Sequence, residues 1–135
     1  MKVVLDANVL IAAYAARGLC EAIVELCLAN DEVFVSARLL ADVRSKLIKK
    51  LKLPRSQADD ISAFLVDYTS LVKPAAVPEG TCRDPDDHDI LGVAQTARAE
   101  FIITGDEDLL VLKTYQGTSI VTPRQYWEAS EQRRR

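Results

Sequence analysis

Aspartates recur in this chain at positions from which a hydrolytic centre could be assembled. Asp6 follows the apolar run MKVVL, Asp42 lies in RLLADV, Asp84, Asp86, Asp87 and Asp89 crowd into RDPDDHD, and Asp106 with Asp108 follows FIIT. Several ionised carboxylates in one crevice repel one another, so an all-protein arrangement would raise their pKa values or lose stability. A divalent cation removes the conflict. Mg²⁺ and Mn²⁺ are hard ions that take carboxylate oxygens and keep several waters, which suits a site made of aspartates and little else. Such a centre activates water and clamps the attacking and leaving oxygens of a phosphodiester, so no nucleophile from the chain is required. The lack of a Ser, His, Asp triad pattern and of a GxxxxGK[ST] loop therefore does not count against phosphodiester hydrolysis.

These acids meet only if the fold brings them together. Met1 to Leu5 is apolar and β-branched without alternation, the mark of a strand buried on both faces. Helices are predicted from Asn8 to about Ala16 and from Leu19 to Ala29, then a strand over Glu32 to Val35. Ser36 is an N-cap for a helix reaching about Lys52, with Leu39, Leu40, Val43, Leu47, Ile48 and Leu51 as its apolar stripe and Pro54 beyond it. A helix over Ser56 to Tyr68, a short strand over Ser70 to Val72 and a loop over Lys73 to Cys82 come next. A helix from Asp87 to Ala99, a strand from Phe101 to Thr104, a short helix opened by GDEDLL, a strand over Thr118 to Val121 and a helix from Pro123 complete the pattern. Alternating elements with buried strands imply an α/β fold, a three-layer α/β/α sandwich around a central parallel sheet, with residues 1–135 as one domain and 131–135 as a frayed tail.

In open parallel sheets, ligands bind beyond the carboxyl ends of the strands, where strand order reverses. Asp6 and Asp106 fall at that edge. Asp42 is on the second turn of a helix leaving the second strand, and its side chain leans back toward that edge. Within RDPDDHD, Asp87 is favoured, three residues before the apolar pair Ile90 and Leu91, with Asp84, Asp86 and Asp89 as alternatives, and Asp108 of the last segment is a further alternative acid. Each acid also has an ordinary reading. Asp6, Asp84 and Asp106 suit helix caps, Asp42 suits a solvated helix face, and His88 suits the surface. Caps do not, however, require several acids on one edge of one sheet.

Composition limits the partners. With 49% hydrophobic residues the chain can bury a core, while a net charge of −3 argues against broad electrostatic binding of nucleic acid. A contact with RNA must be local, and Arg44, Lys46, Lys49, Lys50, Lys52 and Arg55 form a stretch with no acid between Asp42 and Asp59. The same run also reads as a solvated helix face. Cys20, Cys27 and Cys82 form no CxxC pair and accompany one histidine, so they are read as small buried residues rather than a disulfide framework or zinc site. Tyr14, Tyr126 and Trp127 are read as core or interface aromatics. No apolar run approaches the roughly 18 residues that span a bilayer, and MKVVLDANVL is unlike a signal peptide, so a cytoplasmic protein is expected.

The segments VVLDANVLIAA, VSARLLADVRSKL, RDPDDHDILGVAQTA and FIITGDEDLLVL, in this order and spacing, resemble the PIN domain, and within it the VapC-like toxins of prokaryotic toxin–antitoxin pairs. The resemblance covers almost the whole chain. It implies a parallel sheet between helices and Mg²⁺- or Mn²⁺-dependent endoribonuclease cleavage of single-stranded RNA. It matches Asp6, Asp42, Asp87 and Asp106 to the four acids of the family, and Asn8 and Thr104 to small polar positions that orient water or an acid. The second acid is usually glutamate, and Asp42 is one methylene shorter. A homodimer and an antitoxin protein that covers the site are further implications.

Three other functions share parts of the pattern. A phosphatase of the haloacid dehalogenase type also places aspartate after its first strand, but it needs a second one two residues on, where this chain has Asn8. A receiver domain needs an adjacent acidic pair closing the first strand, which is absent. A noncatalytic module that keeps the fold and binds RNA or protein through Lys46 to Lys52 is the alternative of a different class.

Overall fold

The run KVVL forms strand β1 (Lys2–Leu5), in which Val3, Val4 and Leu5 are fully buried because helices cover both of its faces. Strand β1 lies near the middle of a six-stranded sheet of order β3-β2-β1-β4-β6-β5. Its parallel neighbours are β2 (Glu32–Val35) and β4 (Phe101–Ile103), with Val4 in register with Phe34 and Ile102. Parallel pairing extends outward to β3 (Ser70–Leu71) and β6 (Thr118–Val121), while β5 (Thr114–Tyr115) joins β6 antiparallel. The described residues are 1–134 of this computed structural model.

Side chains leave the strands alternately toward two cores. Val3, Leu5, Val33, Val35 and Ile103 meet buried residues of α1 (Ala7–Ala15), α2 (Leu19–Asn30), α3 (Ala37–Lys49), α4 (Arg55–Tyr68) and α7 (Pro123–Arg134). Val4, Phe34, Ile102 and Ile120 meet α5 (His88–Ala97) and Leu109 of α6 (Glu107–Leu110). The arrangement is the expected three-layer α/β/α sandwich, and the unbroken apolar strands follow from it. Ser36 caps α3, its Oγ accepting from the Leu39 N–H at 3.0 Å.

Departures from expectation are local. Strand β5 is unanticipated; Gln116 and Gly117 both take positive φ, closing a two-residue hairpin from a dipeptide that is a weak signal for it. A 3-10 turn (Pro85–Asp87) precedes α5, which ends at a left-handed Arg98. Residues 131–134, expected to fray, continue α7, and Arg133 lies 3.8 Å from Asp31; residue 135 lies outside the described residues. Asp31 is buried and also takes the Met1 ammonium at 3.1 Å and the Tyr126 hydroxyl, so this network fastens α7 at the amino ends of the strands. Among the described residues no helix is long and apolar enough to cross a membrane.

Candidate metal centre

Strand order reverses between β1 and β4, and the acids gather beyond the carboxyl ends of these two strands. Asp6 ends β1 and caps α1, its Oδ1 3.4 Å from the Asn8 N–H. Thr104, buried just past β4, donates its hydroxyl to Asp6 Oδ2 at 2.6 Å and accepts the Asp106 N–H at 3.0 Å. Asp106 in turn caps α6, accepting from the Asp108 N–H at 2.9 Å. Capping and convergence thus hold together: the caps are what aim these carboxylates.

Asp87 comes from the core layer opposite α1, the one that α6 shares, at the junction of the 3-10 turn and α5. Its Oδ2 is buried without a hydrogen-bond partner. One carboxylate oxygen each from Asp87, Asp106 and Asp108 lie within 4.8 Å of one another. Burial, then the carboxylate of Asp106, which both repels the charge and can share the proton, and then Asp84 and Asp6 push Asp87 up to about 7. An orphaned buried oxygen inside an all-carboxylate trio fits a hard divalent cation, which would satisfy the atom and offset the repulsion together. Asp6 stands outside this trio, but with Asp87 and Asp106 it lines a cavity of about 520 Å³ and contributes to the field on Asp87.

Other predicted residues are engaged elsewhere on the rim. Asp42 is about half exposed and pairs at 3.2 Å with Lys46, whose ammonium also donates to Asn8 Oδ1 at 3.1 Å. Asp84 caps the 3-10 turn, accepting from the Asp86 N–H at 3.0 Å. Asp86 pairs with Arg38 at 3.1 Å, and Asp89 accepts from Ser36 Oγ at 2.6 Å. The expected positive face is therefore divided. Lys46 lines the cavity, Arg44 turns to Asp59 at 2.7 Å, and Lys49 and Lys50 are exposed. Arg38, absent from the sequence-based candidates, also lines the cavity. Its spacing from Asp42 and Lys46, four residues at each step along α3, is the signal that places all three on one helix face.

His88 differs from expectation: it is half-buried, and its Nε2 is buried without a hydrogen-bond partner. Cys27 and Cys82 are buried and Cys20 is partly so, all as free thiols. Burial raises their pKa values, most for Cys27, at about 12, so they are poor thiolate ligands. Tyr126 is fully buried and packs edge-on against Phe101, as a core aromatic should.

The layers and the acidic edge define an α/β protein with a carboxylate cluster at its switch point that could hold a cation. The sequence matches the PIN domain family over residues 2–108, and the chain belongs to that family, whose members are in general nucleases. The fold is similar to a chain in the crystal structure of VapBC2 from Rickettsia felis bound to a DNA fragment from their promoter. That likeness has a TM-score of 0.64 at 13% identity and covers 90% of this chain and 98% of the other, so what it establishes is shared architecture. No curated protein matches the sequence.

Proposed function

We propose that the protein is a Mg²⁺- or Mn²⁺-dependent endoribonuclease that hydrolyses phosphodiester bonds of single-stranded RNA. The observation that carries this reading is the buried, unpartnered Asp87 Oδ2 within the trio formed with Asp106 and Asp108. These three residues would hold the ion, with Asp6, fixed by Thr104, and Asp42 extending the anionic wall of the cavity. When bound, the ion supplies charge neutralisation at the phosphate and a lowered pKa for water. Arg38 and Lys46 lie on the cavity rim, where they can meet phosphate oxygens and hold the RNA backbone in place. Asn8 holds the Lys46 ammonium on that rim.

A toxin role in a cytoplasmic toxin–antitoxin pair, with a homodimer and a cognate antitoxin, belongs to the same reading. The PIN family membership and the likeness to a VapBC2 assembly support it. The test is cleavage of single-stranded RNA by purified protein with Mn²⁺. Chelator and Asp87→Asn should each abolish it, whereas undiminished cleavage by Asp87→Asn overturns the assignment.

A noncatalytic RNA- or protein-binding module is the second reading. It is favoured by the Lys46 ammonium standing against Asp42, the position where the family usually has glutamate. RNA binding by a protein that takes up Mn²⁺ but never cleaves would select it.

A further inference from the structure

A second groove of about 410 Å³ opens beside the carboxylate cavity, walled by Arg38, Leu71, Lys73 and Pro74. Arg38 and Asp89 line both spaces, so the two adjoin. Its exposed side chains are of two kinds. Leu71, at the end of β3, is 63% exposed, and the half-buried Pro74 continues this apolar shelf, while Lys73 and Arg38, the latter also paired with Asp86 at 3.1 Å, stand beside it as exposed cations. The acid at this wall, Asp89, is already engaged by the Ser36 hydroxyl.

The groove is held rigidly. The Val72 N–H donates to Val35 O at 2.9 Å, Thr96 Oγ1 to Lys73 O at 2.8 Å, and the Ala75 N–H to Gly92 O at 3.0 Å. At Gly92 an added Cβ would lie 2.4 Å from Ala75 O and 2.9 Å from Pro74 Cβ, so glycine is what lets the 73–75 strap lie flat on α5. The shelf and the segment bearing Asp87 are thereby tied to the same helix.

We propose that this groove binds the nucleotide of single-stranded RNA adjoining the one at the acids, its phosphate on Arg38 and Lys73 and its base on Leu71 and Pro74. The proposal rests on the ribonuclease reading. A strand leaving the carboxylate cavity past Arg38 enters the groove, and a nucleotide presents the two chemistries found there: an anionic phosphate and an apolar base face. The two cations beside the apolar shelf favour an occupant that alternates phosphates with bases, as a strand of RNA does.

Fluorescence anisotropy with a labelled nine-nucleotide uridine oligomer in EDTA tests it, using Lys73→Ala and Leu71→Asp. Expected are affinity losses of at least about fivefold in each, and for Lys73→Ala a shallower dependence of log affinity on log salt, by about 0.7. The Mn²⁺-induced rise in melting temperature should be unchanged in both. If both variants bind RNA as the parent does, with the same salt slope, the groove proposal is overturned while the nuclease reading stands, leaving the shelf to a protein segment. If the parent takes up Mn²⁺ but binds no RNA, the nuclease reading falls and takes the groove's occupant with it.

Discussion

Thr104 hydrogen-bonds Asp6 across 98 positions of sequence, its hydroxyl 2.6 Å from the Asp6 carboxylate and also accepting the Asp106 N–H. One buried hydroxyl thus sets the relative placement of two acids. Replacing it with the near-isostere in Thr104→Val keeps the volume but frees Asp6 Oδ2 and leaves the Asp106 N–H without its acceptor. Mn²⁺ affinity or cleavage rate should fall by about 10- to 100-fold, the range for losing a partner that orients a ligand. Calorimetric Mn²⁺ titration alongside a cleavage assay checks this, and parental values in both would show that Thr104 orients nothing.

Asp87 makes the metal-free protein pH-sensitive. Its carboxyl titrates near 3.8 in an unfolded chain and near 7 in the fold. Between those values the folded state binds a proton that the unfolded state has released, so stability falls as pH rises through this window and levels off above it. Melting temperatures in EDTA at acidic and neutral pH should show a decline that Asp87→Asn flattens and that Mn²⁺ offsets. Parallel curves for parent and variant would exclude Asp87 as its source.

The Asp42–Lys46 pair should matter more for RNA than for stability. An exposed pair one helical turn apart contributes only about 0.3–0.5 kcal/mol. Asp42→Asn should therefore leave melting almost unchanged and, because Asp42 stands outside the trio, shift Mn²⁺ affinity by no more than about twofold. A large loss of Mn²⁺ affinity would instead make Asp42 a direct ligand.

How much of this was legible in the sequence follows from what each residue depends on. Asp6 and Asp106 were readable because an apolar run specifies a buried strand and the residue after it must lie at the sheet edge. Thr104 followed from the family resemblance. Arg38 escapes the sequence, since its partner Asp86 lies 48 residues away and no local pattern encodes that pairing. Asp108 entered only as an alternative, because its place in the trio depends on the tight cap made by Asp106. The basic run was visible as a run, but its division between Asp59, the cavity and solvent is set by how α3 packs on α4.

Lys49, the last residue of α3, and Lys50, its C-cap, remain exposed beyond the cavity. Reversing both to glutamate should weaken RNA binding, steepest at low salt, with no change in folding. Binding assays at two salt concentrations decide it, and an affinity equal to the parent's would remove these lysines from the RNA path.

Gly92→Ala should destabilise the fold by about 1–3 kcal/mol, the usual range for overpacking, because the new methyl meets Ala75 O and Pro74. Urea denaturation measures this. A variant as stable as the parent would mean that the 73–75 strap yields without cost.

The Asp6–Thr104 bond exists only because Leu5 stands opposite Ile103 in the β1–β4 ladder, with the Asp6 N–H on Ile103 O at 3.0 Å. Were β4 to dock one residue out of step, its side chains would exchange faces and the threonine would be carried away from the acid. Apolar side chains alone discriminate weakly between such slips in strands this short and uniformly greasy. The Thr104 hydroxyl, which reaches the Asp6 carboxylate only in the aligned pairing, adds a polar check on how the two central strands zip together that their greasy side chains lack.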